Sequence, residues 1–217
     1  MTKILSFLMI ILLTGMMLSG CRGNTQPTES SSTGATTMPS TQTTPTQTTQ
    51  STQGTPVGTA TTQSAQILNN IWQAFAEDER FAAYGGAIEN SVTDAPGDLD
   101  MQNTEELTTR YLLPENSLQE VTEGASLVHM MNSNIFTGVV FKLSEDAAAE
   151  DLAKDWRDAI QGNRWICGMP DRLILADVDR QHILMVFASK DILTTFENKL
   201  TSQYPQARIL YNEAVVS

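Results

Sequence analysis

The side chains of this sequence best suited to covalent chemistry are one thiol, Cys167, and two imidazoles, His129 and His182. A thiol nucleophile needs a lowered pKa and a nearby base, and the two histidines are the candidates for that base. Cys167 lies in a short Gly- and Pro-containing stretch, where a buried thiol packs as a small hydrophobe. We therefore expect a structural thiol, keep Cys167 as a candidate for thiol chemistry, and assign no catalytic residue.

A second group of reactive side chains is the run of carboxylates between Glu77 and Glu123, where twelve acidic residues face two basic ones. Asp94, Asp98 and Asp100 could supply oxygen ligands to calcium. Their spacing departs from the EF-hand loop, since Asn103 replaces the required glycine. We expect a solvated acidic face and assign no metal site, and a carboxylate pair of the hydrolase type stays open because its separation is spatial.

The segment His129-Met130-Met131 combines imidazole and thioether groups, which are suitable ligands for copper. Side chains alternate along a strand, so neighbouring residues here would point to opposite faces. Core packing with a histidine at the sheet edge is the expected role. The sequence also lacks the usual phosphate-loop, zinc-helix, paired-cysteine and nucleophile-elbow motifs, and we expect no cofactor.

The charge balance limits the partners. The 217 residues include 25 acidic and 13 basic ones, for a formal net charge of −12. Binding to nucleic acid requires a basic surface that displaces counterions from phosphate, so we expect no nucleic-acid partner. A basic protein or simple solubility fits an acidic face better.

The first twenty residues predict an export signal. Lys3 is followed by the apolar run Ile4–Leu18 and by Ser19-Gly20, directly before Cys21. This run is shorter than the roughly 20 residues that a membrane-spanning helix needs.

The residues Leu18-Ser19-Gly20-Cys21 resemble the lipobox of bacterial lipoproteins. The resemblance implies cleavage before Cys21, a diacylglyceryl group on its sulfur and attachment to the outer face of the cell membrane. Two acyl chains give stable anchoring, at about 0.8 kcal/mol per buried CH₂. The chain also resembles uncharacterised lipoproteins of Gram-positive anaerobes in its layout and in two motifs, His129-Met130-Met131-Asn132 and Trp165-Ile166-Cys167-Gly168.

Residues 21–63 predict a disordered linker. From Arg22 to Gln63, 35 of 42 residues are Thr, Ser, Gln, Pro or Gly, without an aromatic side chain. Such a segment cannot bury enough apolar area to offset an ordering entropy of about 1–2 kcal/mol per residue. As a coil it would span roughly 35 Å, which would hold a folded domain away from the lipid.

Residues 64–217 predict a single α+β domain. Ile67, Ile71 and Phe75 have helical spacing, which predicts a helix over 65–83 capped by Ser64. Asn103 and Glu106 predict a short capped helix through about Tyr111. The remaining elements are a strand at 126–131, a strand at 136–143, a helix from Ser144 to Gly162 with Leu152, Trp156 and Ile160 buried, a hairpin of 173–178 with 183–188, a helix from Ser189, and a strand at 207–212.

The order β-α-β-β-α-β over about 136–213 predicts a ferredoxin-like core, with both helices on one face of an antiparallel sheet. The run 183–188 is apolar at every position, so the other face must also be covered. The helix at 65–83 is the expected cover.

These features predict a lipid-anchored extracytoplasmic surface protein that acts as a non-enzymatic binding module. Its expected partners are membrane lipid through Cys21 and a protein or cell-wall component. The alternative is an extracytoplasmic enzyme, either a thiol enzyme that uses Cys167 or a carboxylate hydrolase.

Replacing Cys21 by alanine tests the anchor. We expect metabolic labelling with a fatty acid to be lost in Cys21→Ala, because the substitution removes the acylated sulfur. The same variant should stay uncut or leave the membrane fraction. Unchanged labelling and membrane retention would refute the anchor.

Overall fold

The computed structural model describes residues 62–216. The predicted signal peptide, Cys21 and the linker up to residue 61 lie outside this range. The helices are α1 Gln63–Gln73, α2 Thr104–Thr109, α3 Ala149–Gly162 and α4 Lys190–Gln203, with 3-10 turns at Glu77–Glu79, Ile88–Asn90 and Glu115–Ser117. The strands are β1 Ala83–Gly85, β2 Val92–Thr93, β3 Gly97–Asp98, β4 Val121–His129, β5 Phe136–Leu143, β6 Arg172–Asp177, β7 His182–Ala188 and β8 Arg208–Ala214. No helix within residues 62–216 has the length and apolar composition needed to cross a bilayer.

The strands form one antiparallel sheet in the order β2-β1-β4-β5-β7-β6-β8, with β3 also paired to β4. This confirms the predicted α+β class. The hairpin of β6 and β7 is confirmed by the register Arg172↔Ala188 through Asp177↔Ile183. Strand β5 has the predicted bounds, whereas β4 begins five residues earlier than the expected strand at 126–131 and ends at His129.

Both faces of the sheet are buried under helices. On the first face α1 and α4 pack against alternate residues of the central strands, such as Val140, Leu184 and Val186. On the second face α2 and α3 pack against the intervening residues, such as Val139 and Met185. All seven residues of β7 are buried, as its uniformly apolar sequence requires.

The ferredoxin-like arrangement is not confirmed. In that arrangement the last strand pairs with the first, here β5, but β8 pairs with β6 and β4 takes the place beside β5. The connection β5-α3-β6 crosses over β7, and the connection β7-α4-β8 crosses over β6, so both move the chain toward the same edge of the sheet. The strands from which they start, β5 and β7, are antiparallel. Two right-handed crossovers with that geometry place their helices on opposite faces, as observed.

The first helix is shorter than the predicted span 65–83, and its cap is Thr62 rather than Ser64. Thr62 Oγ1 accepts the amide of Ala65 at 3.1 Å. Beyond Gln73 the chain turns so that Phe81 packs on Trp72, with ring centroids 5.1 Å apart. Gly85 lies in β1, where a Cβ would fall 2.3 Å from the Ser126 carbonyl oxygen. The prediction placed α3 and α4 on one face and α1 alone on the other. In the structure α1 shares the first face with α4, and α3 lies on the second face.

The cap of α2 is confirmed and that of α3 is corrected. Asn103 Oδ1 accepts the amide of Glu106 at 3.1 Å, and α2 ends at Thr109, two residues before the expected end. Ser144 does not begin α3, because its amide donates to the Glu120 carbonyl and holds it beside the segment before β4. The helix begins at Ala149 and buries the predicted stripe of Leu152, Trp156 and Ile160.

Candidate functional site

An exposed apolar surface lies at one end of the sheet, on two neighbouring loops. Its members are Met130 (46% exposed) and Met131 (81%) in the β4–β5 loop, and Ile166 (79%) and Met169 (41%) in the α3–β6 loop. We call these four residues, with Cys167 between the last two, the two-loop surface. The only other large apolar side chains as exposed within residues 62–216 are Ile88 and Val216, so the two-loop surface concentrates this exposure.

Two asparagines of the first loop hold the second loop in place. Asn132 Nδ2 donates to the Cys167 carbonyl oxygen at 3.2 Å. Asn134 Nδ2 donates to the carbonyl oxygens of Ile166 at 2.9 Å and Gly168 at 2.7 Å. Three consecutive carbonyl groups of the α3–β6 loop are thus bound by amides of the β4–β5 loop, and the two loops form one structural unit.

His129 supports the first loop from beneath. Its Nδ1 accepts the amides of Met131 at 3.2 Å and Asn132 at 3.4 Å. The imidazole stacks on Phe81, with centroids 5.3 Å apart and planes 20° apart. Because Nδ1 accepts, the ring proton sits on Nε2 and the neutral form is required. Burial lowers the pKa of His129, which favours that form. His129 therefore supports the loop from the end of β4, which lies between β1 and β5 and is not an edge strand. The expected core packing is wrong for Met130 and Met131, which are exposed.

The second loop places Cys167 in solvent, contrary to the expected buried thiol. Cys167 has φ of 64° and Gly168 has φ of 110°, so the chain turns sharply at this point. Trp165 is half-buried and packs edge-on against Phe187, with ring centroids 5.2 Å apart. The prediction of a buried Cys167 is therefore wrong.

The second histidine lies too far away to act on Cys167. His182 pairs with Lys142 at one end of β5, whereas the two-loop surface adjoins Phe136 at the other end. Six residues of strand separate these ends by about 20 Å. His182 is fully buried, and its Nδ1 lies 2.9 Å from Asp179 Oδ1. A thiol–imidazole pair that includes His182 is therefore excluded by the fold.

The calcium candidates are not brought together. Asp98 Oδ1 accepts the hydroxyl of Thr62 at 2.5 Å, and Asp100 Oδ1 accepts the amide of Gln102 at 2.9 Å. Asp94 occupies a turn with φ of 54°. Within residues 62–216 no three His, Cys, Asp or Glu side chains are placed to hold a metal ion. Asp94 and Asp100 lie in local turns, whereas Asp98 connects β3 to the start of α1.

One carboxylate of the acidic segment is buried. Glu106 is 6% exposed, accepts the amide of Ile88 at 3.2 Å, and lies 3.6 Å from Arg110. Burial raises the pKa of Glu106. Its contacts tie α2 to the segment after β1, and the residue has a structural role.

The sequence predicts no contact between the two motifs of this surface, which the fold brings together. Asn132 and Asn134 were the available signal, since asparagines that flank a loop can bond to backbone groups. Their partners lie more than thirty residues away, which local spacing does not show. Comparison with known proteins finds no matching family model, no similar curated protein and no similar solved structure.

Acidification should loosen the first loop. The pKa of His129 is lowered from its ordinary value of 6.5, so between these two values the unfolded chain binds more protons at this ring. The free energy of unfolding therefore falls as the pH drops through 6.5 toward the lowered pKa. Hydrogen exchange at Met131 and Asn132, corrected for intrinsic rates, should rise over this range.

The variant His129→Gln provides the control, because its side chain does not titrate. Its loop exchange should be independent of pH. A pH-independent exchange rate in the unchanged chain, or the same pH response in the variant, would contradict the supporting role of His129.

Proposed function

We propose that this chain is a lipid-anchored extracytoplasmic binding module, and that the two-loop surface docks a protein partner. The observation that carries the proposal is the concentration of exposed apolar side chains on two loops that hydrogen bonds hold together. The lipobox residues Leu18-Ser19-Gly20-Cys21 support the anchor. The polar segment 22–63 supports a tether between anchor and module.

The chemistry of the surface favours a protein partner. Methionine side chains are unbranched and polarisable, so they adapt to the shape of an apolar partner. Burying Met131 or Ile166, the two most exposed members, contributes about 1.5–3 kcal/mol each by area. Together with partly exposed Met130 and Met169, such an anchor set is sufficient for the centre of a modest interface.

The hydrogen bonds between the loops reduce the cost of binding. A loop that must be ordered by its partner loses part of the interaction energy to conformational entropy. Here Asn134 already fixes the backbone on both sides of Cys167. The apolar side chains are thus displayed on an ordered backbone.

The position of the surface suits a tethered module. Residue Thr62, where the tether would join, lies at the start of α1, and the next residue, Gln63, places its amide 3.5 Å from Asp179 in the β6–β7 turn. The two-loop surface is at the opposite end of β5. A module held from the Thr62 end presents this surface away from its attachment point.

Site-specific photocrosslinking tests the docking surface. A photoreactive residue at position 131, in the full-length chain within its own cells, should give a discrete protein adduct. The same group at position 88 is the matched control, because Ile88 is 60% exposed but lies elsewhere. We expect the adduct to disappear when Ile166→Asp is added, since a charge in the interface must be desolvated.

The result that contradicts the proposal is an equal set of adducts from positions 131 and 88, or none from either. An adduct that survives Ile166→Asp would also contradict it. Fatty-acid labelling of Cys21 is measured independently of the crosslinking. The proposed lipid anchor and the proposed docking surface can therefore be refuted separately.

A further inference from the structure

A polar groove lies at the end of the sheet opposite the two-loop surface. It has a volume of about 540 Å³, a size that admits a small ligand. It is bordered by the β5–α3 connection and the β6–β7 turn; its polar lining side chains are Lys142, Ser144, Glu145, Arg180 and Gln181. Arg180 also lines an adjoining groove of about 310 Å³ beside Arg208.

The two cations of this groove lack carboxylate partners. Six other basic residues within 62–216 form ion pairs: Arg110, Lys154, Arg157, Arg172, Lys199 and Arg208. Lys142 and Arg180 form none within that range, and neither do Arg80, Arg164 and Lys190, but Lys142 and Arg180 are the two that line one groove. An acidic protein that leaves two cations unpaired beside one groove provides local positive charge there.

The carboxylates of the neighbouring strand and turn have other partners. Glu123, which lies opposite Lys142 in the register of β4 and β5, accepts the amide of Ser64 at 2.7 Å. Asp177 Oδ2 accepts from Arg208 Nη2 at 2.7 Å, and Asp179 accepts from the His182 backbone and lies against its ring. Glu145 is the one acidic side chain that lines the larger groove, and it is exposed. Among the side chains that line the larger groove, two cations therefore outnumber one carboxylate.

The backbone conformation of Arg180 is a separate observation. Its φ is 73°, in the left-handed region that glycine and asparagine adopt most readily. The amide of Arg180 donates to Asp177 Oδ1 at 2.7 Å, which holds the turn in this shape. Glycine adopts this φ without a Cβ penalty, so the arginine carries a conformational cost at this turn.

We propose that this groove binds a phosphate group, with Arg180 and Lys142 as its two cationic contacts. A guanidinium offers two parallel N–H donors that match phosphate oxygens, and a lysine adds a point charge. The hydroxyl of Ser144 and the amide of Gln181 line the same groove and are suited to neutral contacts. The phosphate comes either from a soluble phosphate ester or from a lipid headgroup. The site is independent of the two-loop surface.

Calorimetric titration of the full-length chain with inorganic phosphate tests the site, at matched ionic strength in sodium chloride. We expect saturable binding by the unchanged chain, and binding about tenfold weaker or worse in Arg180→Gly and in Lys142→Gln, because each loses a charged contact. The control is Lys190→Gln, which removes an unpaired cation outside the groove and should leave binding unchanged. No binding by the unchanged chain, or an equal loss in the control, would overturn the proposal.

Thermal unfolding without phosphate adds a second readout. Arg180→Gly should unfold at a higher temperature than the unchanged chain, since glycine adopts this φ without strain. An equal or lower midpoint would overturn the argument from the Arg180 backbone. Lys142→Gln keeps the binding test decisive if the glycine variant fails to fold.

Vesicle sedimentation identifies the source of the phosphate. The full-length chain with Cys21→Ala is mixed with vesicles of phosphatidylcholine alone or with added phosphatidylglycerol. Sedimentation that requires phosphatidylglycerol and Arg180 assigns a lipid headgroup. Calorimetric binding without such sedimentation assigns a soluble phosphate ester.

Discussion

Burial of the sheet on both faces is the constraint on which the rest of this structure depends. Strand β7 has no exposed residue, so each face must be covered by helices, and the covering helices leave the ends of the sheet as the available surface. Both proposed binding sites lie at those ends. The two-loop surface adjoins Phe136 at one end of β5, and the phosphate groove includes Lys142 at the other.

Local signals predicted most elements of this fold but not their arrangement. The bounds of β5, the apolar runs of β6 and β7 and the cap at Asn103 are properties of short segments, and the structure confirms them. The alternation that predicts a half-buried β5 is misleading, because β5 is buried on both faces. Strand order depends on pairing between strands that are distant in the sequence. Because β4 pairs with β5 along seven register positions, β8 must pair elsewhere, and the helices then lie on opposite faces. Beyond the end of α1, Phe81 packs against Phe136, which is distant in sequence, with ring centroids 5.0 Å apart.

For the candidate sites, too, local sequence predicted the residues of interest but not their arrangement. The sequence marked Cys167 and His129 by residue type, yet their roles follow from neighbours that spacing does not reveal. His129 accepts two backbone amides, and Cys167 is turned into solvent by its own backbone conformation. The asparagines that join the loops donate to backbone carbonyl oxygens. Because every residue has a carbonyl group, the sequence does not show which residues accept these hydrogen bonds. Unpaired charges such as Arg180 likewise become visible when the ion pairs of the folded chain are known.

Tryptic cleavage after the exposed Arg164 tests the central claim that the two-loop surface is one ordered unit. Cleavage requires the α3–β6 loop to open locally. The variant Asn134→Ala removes two hydrogen bonds that hold this loop, each contributing about 1 kcal/mol, so cleavage after Arg164 should be about tenfold faster or more. Asn116→Ala is the control, because Asn116 makes one exposed hydrogen bond to Asp155 on another surface. Faster cleavage in Asn134→Ala alone is the result the account predicts. Equal cleavage rates in Asn134→Ala and the unchanged chain would contradict it.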